Sequence, residues 1–113
     1  MIVLFSQYYK VKSAQRQVEI DECFNTNTRN GSIDRFVILF ENKSDMDTFK
    51  DNPKIEKIFF PRRVTYGDWL ELTNKLNPGD VSILTNSDIA LKGFPCSFPL
   101  INIPIDSFIN CVT

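Results

Sequence analysis

Unbroken apolar runs alternate along this chain with stretches of helical spacing. Ile2 to Phe5 is a continuous apolar run with β-branched members, the pattern of a strand covered on both faces, as strands of a parallel sheet are. From Ser13 to about Asn27 the period changes. Gln17, Ile20, Phe24 and Asn27 fall on one side with Cys23 beside them, while Arg16, Glu19, Asp21 and Glu22 lie mostly away from that stripe. This predicts an amphipathic helix with Ser13 as its N-cap. Asn30-Gly31 breaks the chain, and Phe36 to Phe40 reads as a second buried strand.

Glu41 to Pro53 is polar and reads as a loop with one helical turn, capped by Ser44 and running through Met46 and Phe49. Ile55 to Phe60 is a third strand, ended by Pro61, which has no N–H for a ladder. Thr65-Tyr66-Gly67-Asp68 resembles a capping box with Asp in place of Glu, and Trp69, Leu72, Thr73 and Leu76 follow at helical spacing. A second helix is thus expected from Thr65 to Leu76, with Trp69 in the core. Asn77-Pro78-Gly79 stops it, and Val81 to Leu84 is the fourth strand.

The order β-α-β-(turn)-β-α-β is that of a doubly wound α/β sheet with right-handed crossovers. Strand order 3-2-1-4 opens a crevice at the carboxyl ends of strands one and four, the default ligand site of such sheets. Sequence position brings Ser6 to Tyr9 and Thr85 to Asp88 there, with Arg62, Arg63 and the start of the second helix on the same edge.

After Asp88 the composition shifts. Lys92 and Asp106 are the only charged side chains from Ile89 to Thr113, and Pro95, Pro99 and Pro104 recur among large apolar groups. Alternation in Leu100-Ile101-Asn102-Ile103 suggests an extended edge segment. The chain divides into residues 1–92 and an apolar tail, 93–113. Phe94, Phe98, Leu100, Ile101, Ile103, Ile105, Phe108 and Ile109 need cover, so the tail is expected to pack on the domain or on a second copy in a symmetric homodimer.

Composition narrows the function. A chain of 113 residues makes one domain that needs no staple. Lys plus Arg is 13 against 14 for Asp plus Glu, which gives no basic field for nucleic acid. No window is apolar enough to span a bilayer, and Met1 to Phe5 is too short for a signal sequence. Cys23, Cys96 and Cys111 are odd in number and widely spaced, as reduced thiols of a cytoplasmic protein are. The absence of histidine excludes cysteine and serine triads that use it. Gly31, Gly67, Gly79 and Gly93 are scattered, so no Gly-rich phosphate loop is present.

Several side chains could carry chemistry in the crevice. Asp88, in a turn beyond a buried strand, could hold a divalent cation, manganese or magnesium, that bridges nucleotide phosphates; equally, Asn86, Ser87 and Asp88 could form a side-chain-bonded turn. Arg62 and Arg63 could clamp a pyrophosphate or be a solvated pair. Tyr8, Tyr9 and Tyr66 could stack on a base or sugar, or pack at strand ends. Arg16 and Glu19, one helical step apart, most simply form a surface pair.

Four segments carry a resemblance: Phe5-Ser6-Gln7-Tyr8-Tyr9, Arg16-Gln17-x-Glu19-Ile20, Pro61-Arg62-Arg63-x-Thr65-Tyr66, and Pro78-Gly79-Asp80-x-Ser82-Ile83-Leu84-Thr85-Asn86-Ser87-Asp88-Ile89. In this order they resemble the N-terminal part of glycosyltransferase-like proteins with the GT-A fold, over roughly residues 1–91. The resemblance implies a Rossmann-like, GT-A-like half-domain in 1–92 that binds a nucleotide sugar. It implies a nucleotide loop at Gln7, Tyr8 and Tyr9, and a metal-binding acidic motif at Asn86, Ser87 and Asp88. Asn86 stands where that motif has its first aspartate, and the acceptor-binding half with its catalytic base is missing, so the fold is expected to be truncated. Two functions follow: a glycosyltransferase-like protein binding a sugar nucleotide, or a non-catalytic module binding a small nucleotide or a protein on the same scaffold. No catalytic residue is assigned.

Overall fold

The computed structural model describes residues 1–87 and the backbone of 108–111. Its elements are β1 (Ile2–Tyr8), α1 (Ala14–Arg29), β2 (Arg35–Phe40), α2 (Lys43–Thr48), β3 (Ile55–Phe59), α3 (Tyr66–Thr73), β4 (Val81–Thr85) and β5 (Phe108–Cys111). The sheet order is β3-β2-β1-β4-β5. The first four strands of the chain are parallel in the expected order 3-2-1-4, compatible with a Rossmann-like fold. β5 runs antiparallel to β4, with Val81 opposite Cys111, so the sheet is mixed rather than purely parallel. The segment Leu100 to Ile105, expected at a sheet edge, lies outside the described residues.

Strand alternation sends neighbouring residues to two cores. Leu4 and Tyr8 of β1, the even residues of β2 and Ile83 pack with Ile20 and Phe24 of α1. Val3, Phe5, Val37 and Leu39 face the other way and pack with Trp69 of α3. α1 and α3 therefore cover opposite faces, which is what the reversal of strand order between β2 and β4 about β1 requires. Trp69 is fully buried, and its Nε1 donates to Ser82 Oγ at 2.8 Å, so the one polar atom of its ring is satisfied inside the core.

Local chemistry sets the helix ends. Ser13 caps α1 as expected, its Oγ accepting from Arg16 N at 3.3 Å. The helix continues to Arg29 rather than ending at Asn27. Lys54 closes it from outside by donating from Nζ to the carbonyls of Thr28 and Asn30; burial lowers the Lys54 pKa, opposed by Asp34. Asn42, not Ser44, caps α2: its Oδ1 accepts from Ser44 N at 2.9 Å, and an amide oxygen there leaves Ser44 inside the helix. The Thr65–Asp68 capping box is present in full at the start of α3. That helix stops at Thr73, three residues early, and the chain goes on to Leu76 in tight turns through Lys75 N to Leu72 O and Leu76 N to Thr73 O.

Candidate functional site

β1 is longer than its apolar run. It extends through Ser6 and Gln7 to Tyr8, because the polar side chains at its end find partners within the fold. Ser6 Oγ donates to Thr85 O at 3.1 Å, tying the ends of β1 and β4 together. The Gln7 amide is used at both atoms: Nε2 donates to Arg62 O at 2.6 Å and Oε1 accepts from Val64 N at 3.0 Å. One side chain of β1 thereby fixes the loop between β3 and α3, and with it Arg63.

A cleft of about 350 Å³ opens beside these contacts, at the carboxyl ends of β1 and β4. Gln7 comes to it from β1 and Tyr9 from just beyond that strand, Arg16 from the first turn of α1, Arg63 from the β3–α3 loop, and Asn86 and Ser87 from the turn after β4. Its described lining residues include two guanidinium groups and, among them, no carboxylate. The Arg63 guanidinium lies over the Tyr9 ring, with Cζ 3.8 Å from the centroid, and its Nε is 3.3 Å from Glu41 Oε2. Arg16 Nη1 meets Glu19 Oε2 at 3.0 Å. Thr85, also in the wall, has a buried Oγ1 with no hydrogen-bond partner among the described residues.

The site residues expected from sequence divide accordingly. Gln7, Tyr9, Arg63, Asn86 and Ser87 meet in the cleft. Tyr8 does not: alternation along β1 turns it to the α1 face, where it is 4% exposed and packs edge-on against Phe24. Its hydroxyl donates to Asp21 Oδ1 at 2.7 Å and accepts from Gln17 Nε2 at 3.1 Å. Burial first, and the bond to Asp21 second, push this phenol well above its ordinary pKa, so it is a fixed donor. Tyr8 is thus a core residue.

Arg62 and Tyr66 also stand apart from the lining. Arg62 forms a two-pronged pair with Asp68, Nη1 to Oδ2 at 2.6 Å and Nη2 to Oδ1 at 2.7 Å, and its Cζ lies 4.6 Å from the Phe60 ring centroid. That pair, followed by the Thr65 backbone N–H, holds the Asp68 carboxyl well below the usual carboxylate range and raises the Arg62 pKa. Tyr66 packs edge-on against Trp69 at 5.2 Å. Asp88 lies outside the described residues.

Arg16 is the cleft residue that its sequence neighbourhood concealed. An i,i+3 pair with Glu19 gives no hint that the first turn of α1 returns to the end of β4; only the fold brings them together.

A larger hollow, about 530 Å³, lies on the α1 face over Tyr8, Phe49 and Ile55. Asp21, Asp45 and Asp51 are balanced there by Lys10, Arg29 and Lys50, so no net charge selects a ligand, and its described lining includes no residue of β4 or of the turn after it. The smaller cleft is therefore the better candidate. Among the described residues, no helix is long and apolar enough to cross a membrane. Comparisons with protein-family models, curated proteins and solved structures give no match.

Proposed function

We propose that this chain binds a nucleotide sugar in the cleft between the ends of β1 and β4, as a glycosyltransferase-like protein on a GT-A-like version of the Rossmann-like scaffold. The observation that carries the reading is the place of the cleft at the reversal of strand order, with two guanidinium groups, each ion-paired to a glutamate, among its described lining residues. Guanidinium forks match phosphate oxygens in geometry and charge. The ring of Tyr9 and the amide of Asn86 add an aromatic face and a two-way hydrogen-bonding group.

Hard divalent cations take carboxylate oxygens, whereas the described turn after β4 offers the amide of Asn86 and the hydroxyl of Ser87. The described donor set does not fit a metal. A manganese or magnesium ion would rest on Asp88, and Asp88→Ala is expected to remove any metal-dependent part of binding while leaving the fold intact.

The test is thermal shift of the full chain against a panel of nucleotide sugars, with and without manganese. A ligand at a hundred times its Kd adds about 2.7 kcal/mol, a clear rise in melting temperature. A rise with release of free nucleoside diphosphate marks a transferase or hydrolase, and a rise without it marks the non-catalytic module. No rise with any member defeats the reading.

A further inference from the structure

We propose that Arg16 and Arg63 form a two-sided clamp for a diphosphate, an assignment that rests on the cleft being the ligand site and specifies which residues hold the charged part. Arg16 arrives from α1 and Arg63 from the loop leading into α3, elements that cover opposite faces of the sheet. Two cations on separate elements suit an anion with two linked charged groups better than a single point charge.

Each arginine is prepared differently. Arg63 rests its planar face on Tyr9 and its Nε on Glu41, and the loop that carries it is fixed by the Gln7 amide. Its terminal amino groups make no hydrogen bond among the described residues, so the fork is oriented and has donors to give. Much of the ordering cost that a flexible arginine meets on binding is already met in the free protein. Arg16 pairs with Glu19 at 3.0 Å through an exposed i,i+3 contact, the kind of surface pair that contributes little to stability. Arg16 and Arg63 thus bring a guanidinium group to the cleft from each side, each already ion-paired to a glutamate that a phosphate would have to displace or share.

Arg62, adjacent in sequence, is excluded from the clamp. Both of its terminal nitrogens are taken by Asp68, which also accepts from Thr65 N at 2.9 Å, and its ring contact is with Phe60. It belongs to the cap of α3.

The experiment is calorimetric titration of the full chain at low ionic strength with inorganic pyrophosphate and, separately, with uridine diphosphate. It is run on the unmodified protein and on Arg16→Gln, Arg63→Gln and Arg62→Gln, each checked for cooperative melting. Expected are pyrophosphate binding that weakens as salt is added, a roughly tenfold loss in each of Arg16→Gln and Arg63→Gln, and unchanged affinity in Arg62→Gln with a lowered melting temperature. Folded Arg16→Gln and Arg63→Gln proteins that keep full pyrophosphate affinity overturn the clamp, as does a loss confined to Arg62→Gln. Diphosphate binding insensitive to Arg16 and Arg63 leaves the nucleotide reading standing and removes the clamp. Pyrophosphate binding through both arginines, with no binding of any nucleotide, does the reverse. No binding of either probe overturns both.

Discussion

The guanidinium of Arg63 lies over the ring of Tyr9, with 3.8 Å between Cζ and the ring centroid. Tyr9 leaves the sheet at the end of β1 and Arg63 stands after β3, so this contact joins the carboxyl ends of two strands separated by β2. An exposed cation–π contact contributes about 0.5–1 kcal/mol. A double-mutant cycle of Tyr9→Leu and Arg63→Gln, read by urea unfolding, is expected to give a coupling energy of that size. Additive effects would show that the stack has no energetic content.

Gln7 has a larger structural role than a ligand contact would give it. Two hydrogen bonds to the backbone of the β3–α3 loop, at about 0.5–1.5 kcal/mol each, predict a loss of about 1–3 kcal/mol in Gln7→Ala, seen as a lower urea midpoint with an unchanged slope. Amide exchange at Val64, whose N–H the glutamine holds, is expected to accelerate in the variant. Unaltered protection there would contradict the role.

Asp68 links the cap of α3 to stability at low pH. Its folded pKa is depressed by Arg62 and by Thr65 N, so the unfolded chain binds the proton more readily than the folded one. The stabilisation is present above the ordinary aspartate value of about 3.9 and is lost as pH falls through the lower, folded value. Asp68→Asn is therefore expected to reduce stability at neutral pH and to narrow its gap from the unmodified protein as the pH drops below about 3.9. Parallel stability curves for the two proteins from neutral to strongly acid pH would refute the linkage.

Tyr8→Phe separates the two faces of the sheet. The variant removes a hydrogen bond to a carboxylate, of about 1.5–3 kcal/mol, and the low end is expected because Gln17 Nε2 still donates to Asp21 Oδ1 at 2.9 Å. Binding in the cleft should be unaffected, since the Tyr8 hydroxyl lies on the α1 face. Weakened binding of uridine diphosphate at unchanged stability would return Tyr8 to the site.

The strands and both long helices were legible because their signals are local: unbroken apolar runs, a stripe at helical spacing, a Thr65–Asp68 box and an Asn-Pro-Gly stop. The site was legible in position and only partly in residues. Ser6 and Gln7 suggest that β1 has ended, but each is polar for a partner far along the chain, Thr85 in one case and the 62–64 backbone in the other. Carrying the strand through them fixes the parity that puts Gln7 at the cleft and Tyr8 in the core. Arg62 and Arg63 are equivalent as letters; Asp68, six residues on, takes the first and leaves the second at the cleft. β5 was not foreseen, because Phe108 to Cys111 has no turn signal or alternation distinguishing it from the rest of an apolar tail.

β5 also changes how exposed this sheet is to unwanted partners. By pairing with Val81 to Leu84 it covers four of the five residues of β4 and, among the described strands, moves that side's boundary to one of four residues. At the opposite boundary β3 is bracketed by Pro53 and Pro61, which have no amide hydrogen to offer, and it carries Lys57 at its middle, paired with Asp51 at 2.7 Å. Short borders, prolines and a charge are the means by which sheets resist uncontrolled strand addition. Losing the β5 pairing would therefore expose β4 as a template for fibrillar growth, making Phe108 to Cys111 a guard against strand addition as well as a part of the sheet.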